Sequence, residues 1–103
     1  MEIIQTEIFS RWYNGLKDIV VIAAIRKRID RIEKVNNFED YSKISGEKGL
    51  FEFRIHIGKG YRVYYIIEKN TVVLLLCGGI KDEQRKDILK AIEIIKNLQR
   101  GHQ

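Results

Sequence analysis

The sequence predicts an α+β fold, with helices at both ends and a run of antiparallel strands between them. Three observations carry that expectation. Residues 51–57 alternate, with Phe51, Phe53, Ile55 and Ile57 apolar and Glu52, Arg54 and His56 between them, the period-two pattern of a half-buried strand. Residues 71–77 form an almost continuous apolar run, Thr-Val-Val-Leu-Leu-Leu-Cys, as in a strand covered on both faces. Outside this block apolar residues recur every three or four positions, along 22–32 and again along 88–98, which is helical spacing. The expected architecture is an N-terminal helical hairpin packed on a twisted antiparallel sheet of three to four strands, closed by a C-terminal helix.

Glu2-Ile3-Ile4-Gln5 reads as a short edge strand, and Thr6 as the N-cap of a helix that halts near Asn14-Gly15. Phe9, Trp12 and Tyr13 lie three and four apart within it, the spacing of a core-facing stripe rather than of a base-stacking platform. Asp18 caps a second helix with an Ile22, Ile25, Ile29, Ile32 stripe. Its Arg26, Lys27, Arg28, Arg31 and Lys34 read as a solvated face, diluted by Asp30 and Glu33, with contact to a phosphate backbone as the alternative. Residues 36–48 have no sustained period and read as a connecting loop, in which Lys43 and Lys48 are candidates to hold a substrate.

Gly58-Lys59-Gly60 turns the alternating strand into Tyr61–Ile67, and a three-residue hairpin loop is the simplest reading. That register sets His56 opposite Arg62 and Arg54 opposite Tyr64, all on one open face, because residues paired across a ladder share a side. A second turn at Lys69-Asn70, with Ile67 opposite Val72 and Arg62 opposite Cys77, brings Gly78-Gly79-Ile80-Lys81 out of the sheet at the same end. The last helix begins near Lys81 or Asp82, with acids early and Lys96 and Arg100 late, matching the macrodipole. Gly101-His102-Gln103 reads as a frayed tail.

At 103 residues the chain is one domain, residues 1–103. No apolar run approaches the roughly 20 residues that span a bilayer. The acidic start, Met-Glu-Ile-Ile-Gln-Thr-Glu, lacks the basic residues and long apolar core of an export signal, so the expected location is cytoplasmic. A single cysteine, Cys77, excludes an internal disulfide and reads as a buried hydrophobe; no His/Cys spacing suggests zinc, and no cofactor is expected. The net charge of +5 is compatible with an anionic partner such as nucleic acid, or with solubility alone.

The chemistry-bearing residues gather at one sheet end: Arg54, His56, Arg62 and Lys81, with Lys59 in the turn. There is no paired-carboxylate site, no phosphate-binding glycine loop, and no serine or cysteine with a base nearby. A set of cations on a rigid sheet suits a phosphodiester and the extra negative charge of its transition state. RNA supplies its own nucleophile, the ribose 2′-hydroxyl, so orientation, charge stabilisation and proton transfer suffice for cleavage. His56 is the proton-transfer candidate of this set, being an imidazole. Each residue also has a purely structural reading, with Arg54 and Arg62 paired to Glu52 or Glu68, His56 bonded to a neighbour, and Lys81 a solvated helix start.

The ordered series Phe-Glu-Phe-Arg-Ile (51–55), Gly-Lys-Gly-Tyr-Arg-Val-Tyr-Tyr (58–65) and Leu-Leu-Leu-Cys-Gly-Gly-Ile-Lys (74–81) strongly resembles the RelE/ParE toxin superfamily, specifically its HigB-like addiction module killer branch. Phe-Ser-Arg-Trp at 9–12 and Gly-Leu-Lys-Asp at 15–18 resemble that branch's N-terminus, so the resemblance covers essentially the whole chain. It implies a RelE-like fold and a cognate antitoxin, of helix-turn-helix, HigA-like type. It implies cleavage of messenger RNA on the ribosome by 2′-hydroxyl attack, without metal. Arg62 matches the arginine of the Y-R-V motif and would stabilise the scissile phosphate. Arg54 matches a basic strand position assigned to proton transfer or charge stabilisation, and Lys81 a basic position after the last strand. His56 enters on geometry. Lys48, Lys59, Tyr64 and Arg85 are the expected RNA contacts. The sequence departs from the pattern at Ile80, where the branch has Asp, and at Glu52, which is lysine in RelE itself. The tyrosine that RelE-type nucleases carry near the start of the last helix has no clear match here around Asp87 or Ile88. The ParE-type alternative, a gyrase inhibitor that cuts no RNA, and an inactive antitoxin-binding module remain alongside.

Overall fold

The computed structural model describes residues 1–101, so of the expected C-terminal tail His102 and Gln103 lie outside the described residues, while Gly101 ends a helix. The element order is β1 (Glu2–Gln5), α1 (Glu7–Asn14), α2 (Ile19–Val35), β2 (Tyr41–Lys43), β3 (Phe51–Ile55), β4 (Tyr61–Glu68), β5 (Val72–Ile80) and α3 (Gln84–Gly101). A short 3₁₀ turn, Lys81–Glu83, joins β5 to α3. The strands form one sheet in the order β1-β5-β4-β3-β2.

Both expected N-caps are made. Thr6 Oγ1 accepts from the Phe9 amide at 3.0 Å, and Asp18 Oδ1 accepts from the Val20 amide at 2.9 Å, satisfying amides that the first turn of each helix leaves free. The two helices pack on one face of the sheet. Phe9, Val21, Ile25, Ile29 and Ile32 meet Phe53, Ile55, Val63, Tyr65, Val73 and Leu75 there. Val21, not Ile22, heads the α2 stripe, because the buried residues follow the i, i+4, i+8 row. The α2 basic residues are not all a solvated face. Arg28 donates to the carbonyl oxygens of Arg54, at 2.7 Å, and of Glu39, and its guanidinium lies 4.9 Å from the centre of the Phe53 ring. It ties α2 to β3 and to the segment before β2.

Four expectations need correction. The sheet is five-stranded and mixed, because β1 runs parallel to β5 and the loop after α2 contains β2, paired to β3. The β3–β4 hairpin closes two residues earlier than a tight turn would. Arg54 faces Arg62 and Glu52 faces Tyr64, and residues 56–60 form the loop, with Gly58 and Gly60 at positive φ of 56° and 78°. A two-residue shift keeps every side chain on its expected face, so the cluster survives it. In the β4–β5 ladder Ile67 faces Val73, a one-residue slip, and a bulge at Leu76 then restores the parity so that Arg62 faces Gly79. The Leu76 carbonyl left over by the bulge accepts from Thr6 Oγ1 at 2.7 Å. Finally, β5 runs on through Gly78, Gly79 and Ile80 instead of leaving the sheet at Gly78.

The second sheet face is not open along its length. Helix α3 covers it, burying Ala91 and Ile94 against Tyr64, Leu74, Leu76 and Cys77. The double glycine in β5 serves both layers. A side chain at Gly78 would overlap the Trp12 ring from α1, and one at Gly79 would overlap the Asp87 carboxylate from α3. Arg62, whose side chain is 13% exposed, lies towards one end of this face.

Candidate active site

Arg54 from β3, His56 and Gly60 from the loop, Tyr61 and Arg62 from β4, and Lys81 from the turn after β5 line one small pocket of about 50 Å³. The sheet brings these together for simple reasons. Arg54 and Arg62 are a directly facing pair on adjacent strands, whose side chains lie on the same side. The Lys81 amide donates to the Gly60 carbonyl at 3.0 Å, which draws the start of the 3₁₀ turn over the hairpin loop.

The four residues expected to form the catalytic set are therefore gathered, but they are not bare cations. Glu52, two residues before Arg54 on the same strand face, is 1% exposed and ion-pairs with Arg62. Its other oxygen accepts from Gln84 Nε2 at 2.8 Å, and Arg54 Nη1 stands 3.6 Å from Oε2. On the outer side Arg54 Nε and Nη2 lie 3.1 and 3.0 Å from Asp40 Oδ1, and its Nη1 donates to Ser42 Oγ at 3.0 Å. His56 Nε2 is 2.6 Å from Asp40 Oδ2. Partial burial pushes the Asp40 carboxyl up, but hydrogen bonds from Arg54 and His56 outweigh it and hold the group below the usual carboxylate range. The result is a continuous network, Gln84–Glu52–Arg62 and Glu52–Arg54–Asp40–His56. Pairing with Glu52, named above as the structural alternative for both arginines, is what the structure shows.

The expected RNA contacts disperse. Tyr64 is a correction, since it is fully buried under α3 and cannot meet a strand on the surface; burial, with Glu52 and Asp87 nearby, pushes its hydroxyl well above the ordinary tyrosine range. Lys59 is exposed in the hairpin loop, outside the pocket lining. Lys48 lies with Lys43 and Phe51 around a separate concavity. Arg85 is exposed on α3 beside Ile88 and Leu89. Cys77 is buried and its thiol is pushed up to about 12 by that burial, which leaves it no nucleophilic role.

Sequence reasoning passed over Asp40, Ser42 and Gln84. Ser42 and Asp40 come from the segment read as structureless, and Gln84 from a helix start read only for its charges. Glu52 was detectable, because strand alternation puts it on the Arg54 face.

The chain matches the family model described as "Phage derived protein Gp49-like (DUF891)" over residues 12–100. It belongs to the Gp49-like family. An uncharacterized protein of Haemophilus influenzae is 41% identical over 98 residues, 95% of this chain and 96% of that one. Among solved structures, a mutant of the E. coli toxin RelE in the free state superposes with a TM-score of 0.70 at 18% identity, covering 89% of the Gp49-like chain and 94% of RelE. The intact E. coli RelBE toxin–antitoxin complex matches with a TM-score of 0.63 at 18% identity, over 77% of this chain and 94% of that one. The RelBE2 toxin–antitoxin complex of Mycobacterium tuberculosis gives 0.61 at 21% identity, over 78% of this chain and 96% of that one. The Gp49-like chain thus has the RelE fold, with two helices on one face of the sheet and α3 on the other.

Proposed function

We propose that this Gp49-like chain is the toxin of a type II toxin–antitoxin pair of the HigB-like kind, acting in the cytoplasm as an endoribonuclease on messenger RNA at the ribosome. The observation that carries this reading is the convergence of Arg54, His56, Arg62 and Lys81 on one pocket at the end of a RelE-like sheet. In the reaction the 2′-oxygen attacks the adjacent phosphorus as its proton passes to a base, and the bond to the 5′-oxygen breaks. The products are a cyclic phosphate and a 5′-hydroxyl that takes its proton from water. The nucleophile comes with the substrate, so no metal-bound hydroxide is required. Arg62 stabilises charge on the phosphoryl oxygens, Arg54 and Lys81 reinforce it, and His56 carries the proton. Lys48, Lys59 and Arg85, all exposed, are peripheral contacts for the RNA backbone. The partner that holds the toxin inactive is a helix-turn-helix, HigA-like antitoxin.

A second reading has its own observation. Glu52 and Asp40 neutralise much of the arginine charge, as a binding surface without phosphoryl chemistry would tolerate, and the corresponding function is inhibition of DNA gyrase. New RNA 5′ ends mapped within minutes of induction, with gyrase-linked DNA breaks followed in parallel, separate the two. In-frame ends in translated messages, lost in Arg62→Gln, are the expected result. Intact messages with DNA breaks would replace the nuclease by the gyrase inhibitor. Because Arg62 compensates a buried carboxylate, the control pairs it with Glu52→Gln, which removes both charges together.

A further inference from the structure

Asp40 is the residue of the site with the most constrained backbone. It sits immediately before β2 at a φ of 44°, the left-handed region that costs a side-chain-bearing residue roughly 1 kcal/mol or more and persists only where surroundings enforce it. The enforcement is visible. Its carbonyl accepts from the Arg54 amide at 3.0 Å, and Arg28 from α2 binds the flanking Glu39 carbonyl and the Arg54 carbonyl. This strained backbone delivers one carboxylate to two partners. Oδ1 receives the Arg54 guanidinium through Nε and Nη2, and Oδ2 receives His56 Nε2 at 2.6 Å. His56 itself is 73% exposed and follows the end of β3, and among the described residues Asp40 is the one side chain paired to its ring.

We propose that Asp40 is a positioning residue of the site: it fixes the His56 ring with the proton on Nε2, leaves Nδ1 as the proton acceptor, and locks Arg54 beside it. A carboxylate 2.6 Å from Nε2 requires a proton between them, and the neutral imidazole then has its lone pair on Nδ1. When Nδ1 takes the proton of the 2′-hydroxyl, the 2′-oxygen bonds to phosphorus and the 5′-oxygen departs. The imidazolium that results stays paired to Asp40. The other charged groups around His56 are Glu39 beside Asp40, Arg54 on β3, Arg62 on β4, Lys81 after β5, and Lys27, Arg28 and Arg31 on α2. Asp40 and Glu39 are the anions among them, and Glu39 is engaged by Arg31. The chemical step rests on the nuclease reading above; the ring's tautomer does not.

The test uses ¹⁵N-labelled full-length chain and ¹⁵N–¹H correlations of the imidazole nitrogens, with His56 assigned through His56→Gln. Asp40→Asn is the variant of choice because asparagine tolerates positive φ. The wild type is expected to show neutral His56 in the single Nε2–H form, and Asp40→Asn a mixture of both forms. Glu39→Gln should leave the His56 signals where they are. On programmed ribosomes Asp40→Asn should cut message about 10- to 100-fold more slowly, the usual effect of losing a partner that orients a working histidine, with a changed pH dependence of the rate. A merely structural loss would scale the rate at every pH alike. A mixture already present in the wild type, or spectra identical in wild type and Asp40→Asn, overturns the proposal, and the wild-type spectrum alone decides this if the variant fails to fold. The single tautomer, lost in the variant, together with no RNA cleavage by the wild type, would uphold Asp40's hold on the ring and overturn the nuclease reading.

Discussion

At the scale of single residues, two buried carboxyl groups face opposite electrostatic situations. Glu52 is buried at 1% exposure but is surrounded by Arg62, Arg54 and Gln84, so its charge is met by cations and donors. Removing one member of such a pair leaves the other uncompensated. Glu52→Ala is therefore expected to lower stability by about 3–5 kcal/mol, whereas Glu52→Gln with Arg62→Gln should cost less than either single change; chemical denaturation of the four proteins checks the coupling. Among the described residues Asp87 has no ion pair of this kind, and Lys90 and Lys86 only partly offset its burial. It is 3% exposed and its Oδ2 has no hydrogen-bond partner among the described residues, and burial first, with Glu83 adding to it, raises its carboxyl above 3.8. A carboxyl raised in the native state contributes its stability in full below the unfolded value and loses it as pH rises through the native one. Asp87→Asn should thus stabilise the protein at neutral pH and flatten the fall in stability with rising pH above about 4, read from melting temperatures across that range. Asp40 runs the other way: held low in the native state, it contributes stability above the unfolded value that is lost on acidification through the native one.

At the scale of elements, β5 is where the layers interlock. Its Gly78 and Gly79 leave room for Trp12 on one face and Asp87 on the other, so each glycine is a packing requirement set by a different helix. Gly78→Ala should force Trp12 aside and destabilise by about 1–3 kcal/mol, the usual penalty of overpacking, which for a domain of this size lowers the melting temperature by roughly 4–8 °C per kcal/mol. Gly79→Ala meets a carboxylate instead of a ring and should combine a stability loss with a disturbed start of α3. The bulge at Leu76 belongs to this strand as well, and the Thr6 hydroxyl that accepts from the α1 amide also donates to the bulge carbonyl. Cap and bulge are therefore one feature shared between two elements.

At the scale of the whole molecule, the net charge of +5 would favour the anionic partner proposed above, while the network gathers Arg54, His56, Arg62 and Asp40 at one sheet end. Affinity for single-stranded RNA should fall with salt, with a logarithmic slope of about −0.7 for each phosphate neutralised. Lys81→Gln should reduce that slope by about one contact, and Lys17→Gln, exposed in the turn before α2, should leave it unchanged. Fluorescence anisotropy on a 2′-O-methyl oligonucleotide at a series of salt concentrations measures this without cleavage.

Local spacing and short turns in the chain were enough to determine the helices, the three long strands, both N-caps and the shared face of Arg54 and Arg62. Strand alternation protected the site from a two-residue error in the hairpin, since parity decides the face and register decides only the neighbour. What tertiary structure alone decided were the long-range partners. The pairing of β1 with β5 joins residues about seventy positions apart, and the three-residue β2 is stabilised by β3 more than by its own sequence. Tyr64 reads as an exposed aromatic until α3 is laid over it. Asp40 carries no local signal at all, because its role depends on a backbone bond to Arg54 and a clamp from Arg28 on another layer. Charges in a sequence announce which groups are present; whether they attract a ligand or each other is settled only when the fold sets the distances between them.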